Sequence, residues 1–195
     1  MTAKDKELMR LYGEFLVRFE FICSRLRFAI NHLVFEDYDS TKRNICEIIT
    51  EGLTADPLRK KFIGLVIERY SKKSDIYKVA DHFSKEFLPI IDLRNSFAHG
   101  TAFFGKTDFI DETKKGKLTL RHPKIKSDGL DLNFKLFSRK KLKDLIANLI
   151  LLANTIGLLT IFLSRPNLTE QLKTIYLGKI QNTFKLINIQ EVLKS

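Results

Sequence analysis

Phe87-Leu-Pro-Ile-Ile-Asp-Leu-Arg-Asn-Ser-Phe-Ala-His-Gly100 is the stretch on which the reading of this chain turns. With Phe83 before it, Phe87, Ile90 and Phe97 recur at steps of four, three and seven, the spacing of a helical stripe that faces a core. Arg94 stands inside that series, four residues after Ile90 and three before Phe97. A guanidinium stays charged at any working pH, so burying it without a partner is costly. His99 falls in the last turn, and Gly100 is placed to end the helix. A permanent cation in the seam and a titratable imidazole at the helix end make a candidate site. A structural reading stands beside it, in which Arg94 edges the seam and His99 complements the helix dipole.

The surrounding chain has 195 residues, the length of one domain, and 44% of them are hydrophobic, enough for a real core. Sixteen Phe, five Tyr and no Trp make that core rich in phenylalanine. Cys23 and Cys46 have neither a CxxC partner nor metal-ligand spacing, so no disulfide framework or zinc site is expected, and both read as reduced thiols of a cytoplasmic protein. A net charge of +11 and a pI near 9.6 point to a polyanionic partner, nucleic acid before an acidic membrane surface. Met1 to Lys6 is polar and leads into an amphipathic helix, so no secretory leader is expected. Leu145 to Leu163 is long and apolar enough to span a bilayer. Lys141, Asp144, Asn148 and Thr155, however, draw a polar stripe along it, which predicts a buried bundle helix and no membrane association.

Taken in order, a first helix is expected from about Asp5 to Val34, with Leu8, Leu11, Phe15, Ile22, Leu26, Ala29 and Leu33 as its core stripe. Phe21, Phe28 and Phe35 step by seven along a neighbouring face, which is either a broad core face or a surface for a second subunit. Thr41 can cap a short helix through Ile49, and Pro57 suits the first turn of the next one, which runs to Tyr70. The helix carrying the opening stretch begins near Asp75, and Pro89 is expected to kink or divide it. After Gly100, Thr101–Phe104, Lys117–His122 and Leu130–Phe137 alternate as short strands, separated by polar turns at 111–116 and 126–129. This antiparallel insertion, at about 101–137, carries Lys114, Lys115, Lys117, Arg121, Lys124 and Lys126, which are either phosphate contacts or solubilising edge charges. Ser138 reads as an N-cap followed by Arg139, Lys140, Lys141 and Lys143, an unfavourable charge set at the positive end of a helix unless an anion or a nearby acidic loop answers it. The long apolar helix runs to Ser164, Pro166 stops it, Asn167 or Thr169 can cap a successor, and one last helix is expected from Glu170 to about Lys194. The whole is a mainly α, up-and-down helical bundle in one domain, 1–195, with a small antiparallel β insertion between the motif helix and the long apolar helix.

Nucleotide-binding loops, HExxH and GxSxG are absent, and His32, His82, His99 and His122 have no helix-borne metal spacing, so no metal and no cofactor is expected. What is left is Arg94-Asn-Ser-Phe-Ala-His99. An arginine, a polar residue, three more residues and a histidine at the end of a bundle helix resembles the Arg-x4-6-His motif of the HEPN superfamily, matched by Arg94, Asn95 and His99. Arg27-Phe-Ala-Ile-Asn-His32 fits the bare pattern as well, but in mid-helix and without the polar residue. Residues five apart on an unbroken helix point about 140° away from each other. This first copy is therefore taken as a coincidence of spacing, whereas Gly100 is expected to let His99 swing.

The resemblance implies a metal-independent endoribonuclease with a composite cleft between two subunits. RNA brings its own nucleophile, the 2′-hydroxyl, so the protein need supply only proton transfer and charge stabilisation. His99 is then the general acid or base, Arg94 the phosphate clamp, and Asn95 the group that orients a phosphate oxygen or the imidazole. The resemblance also implies a toxin or phage-defence (abortive infection) effector, with RNA as substrate and an antitoxin or regulatory protein as a possible partner. The alternative is a non-catalytic helical module that binds RNA or protein.

Overall fold

Thr2 opens the first helix, α1 (Ala3–Val34). Its hydroxyl accepts the Asp5 N–H at 3.2 Å, and the Asp5 carboxylate accepts the Thr2 N–H at 2.8 Å. This reciprocal cap satisfies donors the helix cannot pair internally, and the bonds from Thr2, led by its backbone N–H, hold the Asp5 carboxyl below its ordinary pKa. The computed structural model describes residues 2–35, 40–104, 117–126, 129–165, 170–187 and 189–194. After α1 come α2 (Ser40–Thr50), α3 (Ala55–Arg69), α4 (Asp75–His99), β1 (Thr101–Phe104), β2 (Leu118–Lys126), β3 (Gly129–Phe137), α5 (Arg139–Leu163), α6 (Glu170–Phe184) and α7 (Ile189–Lys194). The protein is a helical bundle with a three-stranded antiparallel sheet, in the order β1-β2-β3, between α4 and α5.

The expected stripe of α1 is buried along its whole length, and its main packing partner is α5. Most residues of α5 are buried too, which is why its sequence is apolar nearly all round. Of its polar stripe, Lys141 and Asp144 are partly exposed and the other two are enclosed. Asn148 and Thr155 are buried and donate to the carbonyls of Asp144 and Leu151, one turn back, each at 2.9 Å. These short polar side chains satisfy themselves on their own helix, so the core accepts them.

Phenylalanines join the layers. Phe62 of α3 meets Phe83 of α4 edge-on, Phe83 stacks on Phe87, and Phe87 stacks on Phe19 of α1 at 5.4 Å. Farther along, Phe97 lies edge-on to Phe15 at 4.9 Å and to Phe137 of β3 at 5.2 Å, which ties α1, α4 and the sheet together. The Tyr12 hydroxyl donates to the Phe97 carbonyl at 3.2 Å. The sheet adds Leu118, Leu120 and Phe137 to this core, with Leu118 directly opposite Phe137 in the β2–β3 register.

Several expectations are corrected. The motif helix continues through Pro89 without a break, from Asp75 to His99. Gly100 ends it in an extended conformation (φ −90°, ψ 155°) leading straight into β1, so its left-handed freedom is not used. The C-terminal segment forms two helices, α6 and α7, in place of the single one expected. Three of the four cations after Ser138 are answered from within the protein. Ser138 caps α5 by accepting the Lys141 N–H, and Arg139 and Lys143 both bind Glu7 of α1, at 2.6 and 3.1 Å. Lys141 donates to the Leu193 carbonyl at 3.0 Å. Among the basic residues of the insertion, Lys114 and Lys115 and the side chains of Arg121, Lys124 and Lys126 lie outside the described residues. So do the turn at 111–116, residues 127 and 128 of the second turn, Pro166, and the capping residues Asn167 and Thr169.

Two outcomes follow for stability. Phe87→Ala, which removes the ring linking Phe83 to Phe19, lowers the free energy of unfolding by about 3–5 kcal/mol in denaturant titration. The bonds from Arg139 and then Lys143 hold the Glu7 carboxyl below its ordinary pKa. Its contribution is therefore complete above the unfolded-state value and fades as pH falls through the depressed one. Glu7→Gln is less stable than wild type at neutral pH, and the gap closes in acid.

Candidate functional site

The last turns of α4 present their polar residues at the edge of the aromatic seam. Phe83, Phe87, Ile90 and Phe97 are all buried, and the backbone of Arg94 lies between them as the spacing predicted. Its side chain escapes sideways over the ring of Phe19, with Cζ 5.6 Å from the centroid, and Nη2 donates to Glu20 Oε1 at 3.1 Å. The guanidinium is one-third exposed and Glu20 rather more than half. Nε is fully enclosed and has no hydrogen-bond partner among the described residues. An exposed ion pair of this kind is worth about 0.2–1 kcal/mol, whereas a hydrogen bond to a charged group contributes about 1.5–3 kcal/mol. Glu20 is thus a weakly held, half-exposed counter-ion.

Arg94 and Asn95 line a cleft of about 240 Å³. Its opposite wall is Phe19, Glu20, Cys23 and Arg27 of α1, and its floor is the α2–α3 connection, Gly52 to Asp56. Gly52 has φ +72°, a left-handed conformation that strains any side chain, and it turns the connection so that the first turn of α3 opens onto the cleft. Arg27 Nη2 donates to the Leu53 carbonyl at 3.3 Å. Thr54, at the N-cap of α3, makes no side-chain cap bond. Asp56 is engaged by Lys60 at 2.8 Å and Arg59 at 2.6 Å, and these bonds, led by that from Lys60, keep its carboxyl below the usual range. Two guanidiniums, a primary amide and a helix start therefore meet in one depression with the carboxylates of Glu20 and Asp56, so a phosphate ester would be held there by exchanging with a carboxylate rather than by a surplus of positive charge.

His99 is placed differently. It is still helical, exposed, and makes no hydrogen bond or ion pair among the described residues. On an α-helix it lies about 140° round and about 7.5 Å along from Arg94. It does not swing at Gly100, so the argument that separated Arg94/His99 from Arg27/His32 does not hold. Within one chain neither pair converges. What does come together is Arg27 with Arg94, one from each copy of the pattern. His32 is buried, edge-on to Phe28 at 4.9 Å, and burial lowers its pKa. It belongs to the core, whereas His99 faces solvent on the same side of α4 as Asn95, four residues earlier.

Sequence reasoning set Arg27 aside because it weighed only the partner along the helix. The usable signal was across the helix, where Glu20, Cys23 and Arg27 follow at three and four and share a face pointed at α4. Cys23 is no nucleophile in this cleft. Burial, with the Glu20 charge second, pushes its thiol up to about 12. Among the described residues no three metal-ligating side chains gather.

Compared with models of known protein families, with curated proteins and with solved structures, the chain finds no match. The chemistry must therefore be argued from the cleft.

Buried and with its thiol pushed up, Cys23 in the native protein resists iodoacetamide. Alkylation becomes fast only on unfolding, and mass spectrometry of the peptide spanning Cys23 reads the difference.

Proposed function

We propose that the protein is a metal-independent endoribonuclease of the HEPN kind that cleaves RNA by attack of the 2′-hydroxyl on the adjacent phosphate. The observation that carries this reading is the cleft in which Arg94 and Asn95 stand with a second guanidinium, one helical turn before an exposed, unengaged His99. Arg94 exchanges Glu20 for a phosphate oxygen and stabilises the charge that builds up as phosphorus becomes five-coordinate. Asn95 orients that phosphate. His99 takes the 2′-hydroxyl proton, the 2′-oxygen bonds phosphorus as the bond to the 5′-oxygen breaks, and solvent protonates the leaving oxygen. The products carry a 2′,3′-cyclic phosphate and a 5′-hydroxyl.

The angle between Arg94 and His99 requires a second subunit. Across a two-fold axis, Arg94 and Asn95 of one copy can share a phosphate with His99 of the other, and the dimer then holds two such composite sites. The biological setting that goes with this reading is a cytoplasmic toxin or phage-defence effector restrained by an antitoxin or regulatory protein, and it rests on the motif alone. The second reading, a non-catalytic RNA- or protein-binding module, draws support from the same angle, because a monomer has no assembled acid–base pair.

The test is incubation of the purified protein with RNA in EDTA. Expected are fragments ending in cyclic phosphate, and rates reduced at least about 100-fold in His99→Ala and in Arg94→Ala. Mixing these two inactive variants restores about a quarter of the activity, since half of the random dimers carry one intact composite site out of two. Intact RNA, or variants that cut like wild type, removes the ribonuclease. Cleavage without restoration on mixing removes the composite site.

A further inference from the structure

Arg27 also walls a second cleft, of about 340 Å³, on the other side of α1. That volume falls within the range of about 300–1,000 Å³ typical of small-ligand sites. Phe21, Arg25, Phe28 and Asn31 of α1 line it together with Arg43 of α2. Phe21 and Phe28 are 43% and 42% exposed, a large apolar outlay for positions facing a depression. The guanidinium of Arg25 sits 4.9 Å from the Phe21 centroid. It is held there by a gap in α5, because a Cβ at Gly157 would stand 2.8 Å from Arg25 Nη1. Opposing this positive set, Glu47 also lines the cleft and accepts from Arg43 Nε at 2.9 Å, which leaves the cleft with an excess of guanidinium charge. Asn31 is 5% exposed, and its amide oxygen has no donor among the described residues. Buried amide oxygens are nearly always paired, so one left open at the wall of a cleft suits an acceptor awaiting a ligand's N–H.

Exposed aromatic faces interleaved with guanidiniums are what single-stranded nucleic acid binds. Bases stack on the rings and phosphates pair with the cations, whereas a duplex keeps its bases stacked on each other. We propose that this second cleft, meeting the Arg94 cleft at Arg27, is a binding site for single-stranded RNA. Bases stack on Phe21 and Phe28, Arg25, Arg27 and Arg43 hold the flanking phosphates, and the Asn31 amide oxygen accepts from an N–H on a base edge. The site extends the ribonuclease reading by giving the strand a path beside the phosphate to be cut, but binding here does not depend on cleavage.

Fluorescence anisotropy of a labelled single-stranded oligoribonucleotide tests it, using the full chain with His99→Ala so that the RNA stays whole. Expected are a roughly tenfold loss of affinity in Phe28→Ala and a similar loss in Arg27→Ala, with the salt slope lowered by about one. A duplex RNA of the same length competes poorly. The protein elutes from size exclusion unchanged in both variants. Unchanged affinity in both overturns the proposal. So does a change of oligomeric state in Phe28→Ala, which assigns the face to a contact between copies. If wild-type protein binds the strand through these residues but never cuts it, the ribonuclease reading falls and this one stands. If it cuts RNA and the variants bind normally, the reverse holds.

Discussion

The stack of Phe19 on Phe87 is the contact from which the rest follows. It brings α4 against α1 at the level where Arg94 leaves the helix, so the guanidinium cannot enter the seam and must pass over the outer face of Phe19. A charge forced out of an aromatic seam at that point meets whatever lies at the seam's open edge. Here that edge is Glu20 and Arg27 on α1, and the Gly52–Asp56 connection that crosses below them. Close packing leaves no room for an arginine inside and gives no reason to send it fully into water, because its methylene stem gains by staying against the ring.

The excess positive charge is handled unevenly, and the unevenness locates the site. At the start of α5, Glu7 holds Arg139 and Lys143, and Lys141 reaches the end of α7, so three of the four cations there are internal ties, and of the two explanations left open it is an acidic neighbour that answers them. Along the surfaces of α1, α2 and α4, pairs such as Arg10 with Glu14 and Lys85 with Asp81 are local, four residues apart, and weak. Arg27 and Arg94 differ in kind. Each makes one hydrogen bond among the described residues, Arg27 to a carbonyl and Arg94 to an exposed carboxylate, while both face a shared depression with donors to spare.

Periodicity carried the fold well. The apolar stripes on α1 and α4, the cap at Ser138 and the strands of the insertion are local properties, and the structure keeps them. Where sequence reasoning failed, the cause was a partner from elsewhere in the chain or a conformation that neighbours allow. Pro89 removes one backbone bond, but packed neighbours on either side hold the helix through it. Gly100 can adopt a left-handed turn, but the start of β1 draws it out extended. Asn148 and Thr155 sit inside the buried helix that their stripe led us to expect, and each bonds the carbonyl behind it. Arg94, Asn95 and His99 were legible as individuals. Their mutual geometry was not, since it depends on whether the last turn holds its helical form, and it does. Arg27 was illegible for a different reason: its companion is an arginine on another helix, a relation that no spacing along one helix expresses.

Two kinds of completeness are therefore separated in this molecule. On the proposed reading, the groups that would hold a phosphate come from one chain, in residues of α1, α4 and the α2–α3 connection whose positions are set by the core. The proton-moving group does not meet them there, because His99 lies about 140° round from Arg94 and cannot be turned onto it without unwinding the last turn of the helix. Unwinding would break the Gly100 N–H bond to the Ser96 carbonyl and pull on Phe97, which the Tyr12 hydroxyl and two aromatic contacts hold in place. Docking a second copy leaves all of these intact and asks only for surface already exposed. On energetic grounds the proposed chemistry is thus better served by association than by local rearrangement.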